Sequence, residues 1–287
     1  MLYITYPLSA LLMMAIGVGW GISLTRRFGL GWRLYWIGAA TFVASQVVHI
    51  PLNMLLTLLF QRNILPAPPQ EWQLIFNAIV LGLSAGICEE GSRYLTYRWW
   101  AKDARSWGKG LLLGAGHGGI EAILLGGFVL LTFIQMVALR DVDLATVVPA
   151  DKLALAQEQM IVYWSPTWYD SLLGTVERFF TLPLHLACSV LVLQTFTRQR
   201  RYWLPLAIGW HALVDGLAVV IYATWGAYPV EAAVGGLALV SVAIILALRQ
   251  PEPEMLAELD LPLPTISIDT LEPIDTTDEN LEDTKYA

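Results

Sequence analysis

The sequence predicts an all-α fold: a polytopic bundle of about seven transmembrane helices, with the N-terminus outside and the C-terminus in the cytoplasm. Three observations carry this expectation. Apolar runs of about 18–25 residues recur along the chain, each long enough to cross a hydrocarbon core of about 30 Å as a helix. Charged residues make up only 14%, against roughly a quarter in a soluble domain, and the mean hydropathy is +0.57. Basic residues also fall in every second connection. Barrel strands would show short alternating segments instead.

Taken in order, the expected spans cover 4–24, 35–60, 72–97, 110–139, 171–197, 203–224 and 229–248. The first run has no basic segment ahead of it and is followed by Arg26 and Arg27, so it reads as an anchor and not as a cleavable signal. Arg33 completes the first basic connection. Arg98, Lys102, Arg105 and Lys109 mark the third, and Arg198, Arg200 and Arg201 the fifth. The alternate connections are neutral or acidic, which fixes the expected orientation by the positive-inside rule. Trp32, Trp36, Trp99, Trp100, Trp164, Trp168 and Trp203 sit at the span boundaries, where aromatic rings anchor to the interface. In the long connection 140–170, residues 150–163 are expected to form a short helix on the outer surface.

The tail has a different composition. Residues 251–287 hold eleven acidic residues and one lysine, while the first 250 residues carry a net +3. Two domains follow: a membrane domain over 1–250 and an acidic cytoplasmic tail over 251–287, expected to be disordered. No nucleic-acid partner is indicated, because the basic residues have a membrane explanation. Membrane lipid is the expected surrounding, and a plasma membrane of bacterial type the expected location. Cys88 and Cys188 are too few and too far apart for a disulfide framework or a paired-cysteine metal site, and read as small packing residues.

The residues that need a reason are the polar ones inside the spans. A charge at the bilayer centre costs about 2.5–3.5 kcal/mol even on the lenient insertion scale. Glu89, Glu90, Arg93, Glu121, Glu177, Arg178 and Asp215 all lie there, as do all four histidines, His49, His117, His185 and His211. At 1.5 Å per residue, the Glu89–Glu90 pair, His117, His211 and His185 lie roughly 12, 12, 13 and 18 Å from the cytoplasmic boundary. Four helices thus place ionisable groups at similar depth. His117 with Glu121, His211 with Asp215, and Glu89 with Arg93 are four apart and share helix faces. Glu90 points about 100° from Glu89, so one of the two is expected to face a given partner.

Such a set can activate water. A carboxylate in an apolar pocket can take a proton from water, and neighbouring histidines can hold the water, stabilise an oxyanion or bind a metal. Simpler readings stand beside this one. Glu89 and Arg93 read equally as a structural ion pair, His49 as a cross-helix hydrogen-bonding group, and Glu177 and Arg178 as residues of the outer mouth.

The run Cys88-Glu89-Glu90-Gly91-Ser92-Arg93-Tyr94 resembles the Glu-Glu-x-x-Arg motif of the YhfC-like intramembrane proteases, which are related to the PrsW and CAAX-type abortive-infection proteases. His117-Gly118-Gly119-Ile120-Glu121 looks like the second motif, and His211-Ala212-Leu213-Val214-Asp215 is similar to the third. The resemblance implies an intramembrane endopeptidase acting on membrane-embedded or membrane-anchored polypeptides. Glu89, Glu90, Arg93, His117 and His211 would be catalytic, with Glu121, His185, Asp215 and His49 supporting. Two departures from the CAAX group, the shorter spacing to Arg93 and Leu113 where that group has Phe, argue against prenyl-peptide processing. His117, His185, His211 and Glu121 are candidate ligands for a divalent metal such as zinc. The absence of a His-Glu-x-x-His motif weighs against one, and a metal-free glutamate-dependent mechanism stays open. The competing functions are a proton-coupled transporter and a non-catalytic binding or immunity protein.

Overall fold

The computed structural model describes residues 1–250; the tail expected over 251–287 lies outside the described residues. Eight α-helices follow one another: α1 (Leu2–Phe28), α2 (Arg33–Gln61), α3 (Gln73–Leu95), α4 (Trp107–Leu139), α5 (Leu153–Trp164), α6 (Leu173–Thr197), α7 (Trp203–Trp225) and α8 (Ala227–Ala247). Among the described residues, seven are long and apolar enough to cross a membrane. Their limits match the expected spans to within a few residues, because apolar runs of this length have no other low-energy conformation in lipid. The chain is an integral membrane protein.

The short α5 is the surface helix expected in the long connection. It is held to the start of α1 by aromatic contacts: Tyr6 stacks on Tyr163 at 4.5 Å, and Tyr3 on Trp164 at 5.0 Å. The Tyr6 hydroxyl also donates to the Tyr163 carbonyl at 2.9 Å.

At the opposite end the connection between α3 and α4 is tied down. Ser106 caps α4 by accepting from the Lys109 amide, and Arg105 donates to the Tyr97 carbonyl at 2.8 Å. Arg33 makes a two-pronged contact with Asp103, at 2.8 and 2.9 Å, and this hydrogen bonding holds the Asp103 carboxyl down at about 2.

Helix α4 is the hub and packs on α1, α2 and α6; α3 packs on α7 and on α2. Small residues set these distances, as is usual where lipid offers no hydrophobic drive between helices. A Cβ built at Gly118 of α4 would lie 2.7 Å from His185 Cδ2 and 2.9 Å from Leu182 on α6. On α3, a Cβ at Gly82 would collide with the Ala212 carbonyl of α7. These two approaches bring the motif-bearing turns of α3, α4, α6 and α7 together. Pro183 removes one backbone donor from α6 two residues before His185.

Candidate active site

The ionisable groups of the three motifs and His185 form one buried cluster. Glu90, Arg93 and His117 are fully buried, and Glu89, His185 and His211 are at most 6% exposed. Their backbones come from α3, α4, α6 and α7.

Arg93 is the link between two halves. Its Nη1 donates to Glu90 Oε1, and its Nη2 donates to His185 Nδ1 at 2.9 Å. The pairing is therefore Arg93 with Glu90, three residues back, and not with Glu89 as the four-residue spacing suggests. The reason lies in the partners of Glu89. Its Oε2 meets His117 Nε2 at 3.0 Å and its Oε1 accepts from Gln46 Nε2 of α2 at 3.1 Å, which draws it to the other side of α3.

His211 sits between the two carboxylates. Its Nδ1 lies 2.7 Å from Glu90 Oε1 and its Nε2 3.8 Å from Glu89 Oε2. Both glutamates thus reach one partner, because a ring with two opposed nitrogens spans the 100° between their directions. Asp215, one turn beyond His211, places Oδ2 at 3.4 Å from the same Nε2.

Glu121 departs from the simple spacing argument as well. It does not bond to His117 on its own helix; Oε1 takes Arg178 Nη1 at 2.5 Å and Oε2 lies 2.7 Å from His185 Nε2. Arg178 also pairs with Glu177. His185 therefore joins the motif cluster to this second ionic group. The three rings are neighbours, with His117 and His185 centroids 5.5 Å apart and His185 and His211 5.9 Å apart.

His49 lies outside the cluster and is joined to it by Gln46. Asn53 Nδ2 donates to His49 Nε2 at 2.9 Å, which leaves a neutral ring with its proton on Nδ1, 3.3 Å from Gln46 Oε1. Sequence reasoning missed Gln46, whose single amide carries no charge to draw notice. Cys188, expected as a packing residue, is buried against Leu184 and Val214. This buried cysteine lies with Glu90 and His211, and only its i,i+3 relation to His185 on α6 hinted at the site.

Among the described residues, two sets of side chains bring ligand atoms within 4.8 Å of one another: Glu89, His117 and His185, and Glu90, Cys188 and His211. Their chemistry separates them. A cation beside Glu90 would meet the Arg93 guanidinium, which is always charged. His185 accepts from Arg93 at Nδ1, so its neutral ring carries the proton on Nε2, toward Glu121. It has no free lone pair while Arg93 stays.

His211 is the opposite case. Its Nδ1 donates to Glu90 and its Nε2 faces Glu89 and Asp215, with a lone pair available there when the ring is neutral. Glu89 Oε2 is shared between this Nε2 and His117 Nε2, and His117 Nδ1 is buried without a partner. His117, His211 and the carboxylates beside them are imidazole and carboxylate donors of the ordinary zinc type, so by donor chemistry the site fits a divalent cation.

Comparison with known proteins agrees with the motifs. Residues 11–251 match the family described as YhfC intramembrane metalloprotease. The chain belongs to this family. It is also 29% identical over 226 residues to the Bacillus subtilis (strain 168) protein described as "Uncharacterized membrane protein YhfC", covering 74% of this chain and 82% of that one. No solved structure matches. The seven spans and the bacterial relative place the chain among integral membrane proteins of bacterial type, and the family's description gives it the outline of a peptidase with a divalent metal.

Proposed function

We propose that the protein hydrolyses peptide bonds of membrane-associated polypeptides, with Glu89 as the general base. The observation that carries this reading is the unequal use of the two adjacent glutamates. Glu90 is ion-paired with the Arg93 guanidinium and bonded to His211 through one oxygen, its other oxygen buried without a partner, whereas Glu89 meets no guanidinium, only an amide and the edges of two imidazoles. A carboxylate held this way keeps a lone pair for a water proton.

The other residues have positioning roles. Glu90 orients His211 through Nδ1, and His117 and His211 aim their Nε2 atoms at the space beside Glu89. Arg93 pairs with Glu90 and holds His185 in one tautomer, while Glu121 and Arg178 hold the far edge of His185. Asp215 lies beside the Nε2 of His211. His49 acts on Glu89 through Gln46. A divalent ion held by His117 and His211 beside Glu89 would supply Lewis-acid polarisation and lower the pKa of a water. The basic connections support a site in the cytoplasmic half of the bilayer with the N-terminus outside.

The test uses purified protein in liposomes with a panel of membrane-spanning reporter peptides. Glu89→Gln lowers the cleavage rate by about 10²–10⁴, the usual contribution of a general base. Glu90→Gln lowers it by about 10–100-fold, as expected for a group that orients an imidazole. Cleavage by Glu89→Gln at the unmutated rate would overturn the assignment.

A further inference from the structure

Beyond the buried cluster, α2 carries a polar stripe that structural packing does not explain. Gln46, His49, Asn53, Thr57 and Gln61 follow one another at spacings of three and four, so they share one face of a membrane-spanning helix. Across from them α3 presents Gln73, Asn77 and Ser84. Between the two helices lies a cavity of about 400 Å³ lined by Asn53, Thr57, Gln61, Gln73 and Asn77 among apolar neighbours. Ligand pockets commonly measure about 300–1,000 Å³. A second hollow, reaching down to His49 and Gln46, shares Asn53, Thr57 and Gln61 with it. Gln46 touches Glu89, so this face of α2 leads from the cavity toward the candidate base.

We infer that this cleft between α2 and α3 holds an unwound polypeptide segment of the substrate, read through its backbone amides. The inference rests on the peptidase reading and names the binding surface that reading lacks. The lining of the cavity contains no charged residue. Its amide side chains each offer a donor and an acceptor, the complement of a peptide N–H and C=O. A charged lipid headgroup would require cations that the cleft does not have.

Asn53 supplies a separate indication. Its Nδ2 is committed to His49, but its Oδ1 is buried with no hydrogen-bond partner, an arrangement that is costly unless a donor reaches it. An exposed strand of substrate N–H groups is such a donor.

The geometry sets a register. Seven residues of helix separate Asn53 from Gln46, roughly 10 Å at 1.5 Å per residue. An extended chain covers that distance in about three residues. Substrate residues held at Asn53 therefore lie about three positions from the bond presented to Glu89. The hydrogen-bond chain Asn53–His49–Gln46–Glu89 also links occupation of the cleft to the setting of the base.

Photo-cross-linking of the full-length Glu89→Gln protein in liposomes tests the inference without depending on turnover. The probes are two synthetic membrane-spanning peptides, each with one diazirine residue near its centre. One has a Gly-Asn-Gly-Ser unwinding element and the other is an unbroken Leu/Ala helix. The expected result is cross-links to residues 53–61 and 73–81 from the first peptide, at least fivefold above the second. Asn77→Leu, which leaves the His49 chain and Glu89 untouched, should lower that yield about fivefold, as for one lost hydrogen bond, and Asn77→Gln should restore it.

Cross-links from both peptides at the same level, or centred on other helices, would overturn the inference. So would a cleft labelled by a diazirine phospholipid and not by either peptide, or one cross-linked only to a second copy of the chain. If cleft labelling appears as expected while the unmutated protein cleaves neither peptide, the docking surface stands and the peptidase assignment fails.

Discussion

Replacing Arg93 is the sharpest test of how the cluster holds together. Arg93 and Glu90 are both completely buried, and the guanidinium also donates to His185. Arg93→Met removes the partner of a buried carboxylate, which typically costs about 3–5 kcal/mol. Glu90→Gln leaves the guanidinium short of an anion and should cost a similar amount. The double variant removes both charges and keeps only the loss of hydrogen bonds, about 1–2 kcal/mol. At about 2–4 °C per kcal/mol, each single variant should lower Tm by about 10 °C and the double by about 4 °C. Thermal unfolding in detergent, followed by fluorescence of the twelve tryptophans, reads this directly. The pair should show a coupling of at least about 2 kcal/mol. A double variant as unstable as the sum of the two singles would refute the ion pair as the link between α3 and its neighbours.

Further outcomes follow from other parts of the structure. Gly118→Ala pushes a Cβ against His185 and Leu182; it should cost about 1–3 kcal/mol in Tm measurements and lower cleavage by shifting the His185 ring. The Arg33–Asp103 pair is half exposed, so Asp103→Asn should cost no more than about 1 kcal/mol. Because the folded Asp103 carboxyl is depressed to about 2, its contribution is fully present above the ordinary value of 3.8. It is lost as pH falls through about 2, so the Tm difference between the two proteins should vanish there. Chelation followed by elemental analysis should show a divalent ion lost together with activity. His117→Ala and His211→Ala should lack the ion, and His49→Ala should retain it.

The helices were legible because each apolar run of span length has one outcome in lipid, and the limits of α2, α4 and α6 match within a few residues. The gathering of Glu89, His117, His185 and His211 followed from depth, a quantity that residue count along a helix gives directly. Partner choice was not legible. Arg93 and Glu89 share a face but diverge because Gln46 on another helix claims Glu89, and Glu121 turns from His117 to Arg178 across the α4–α6 contact. Spacing along one helix says which side chains lie near each other; it says nothing of the competing donor on the next. Cys188 packs in the core as expected, against Leu184 and Val214.

The central claim, that Glu89 activates water for peptide hydrolysis inside the membrane, is tested most directly by the chemistry of its products. Membranes from cells producing the unmutated protein or Glu89→Gln at equal levels would be compared by mass spectrometry of all protein N-termini. New termini within or beside membrane-spanning segments are expected in the unmutated sample, reduced by at least about 100-fold in Glu89→Gln. Identical termini in the two samples, with both proteins folded, would contradict it.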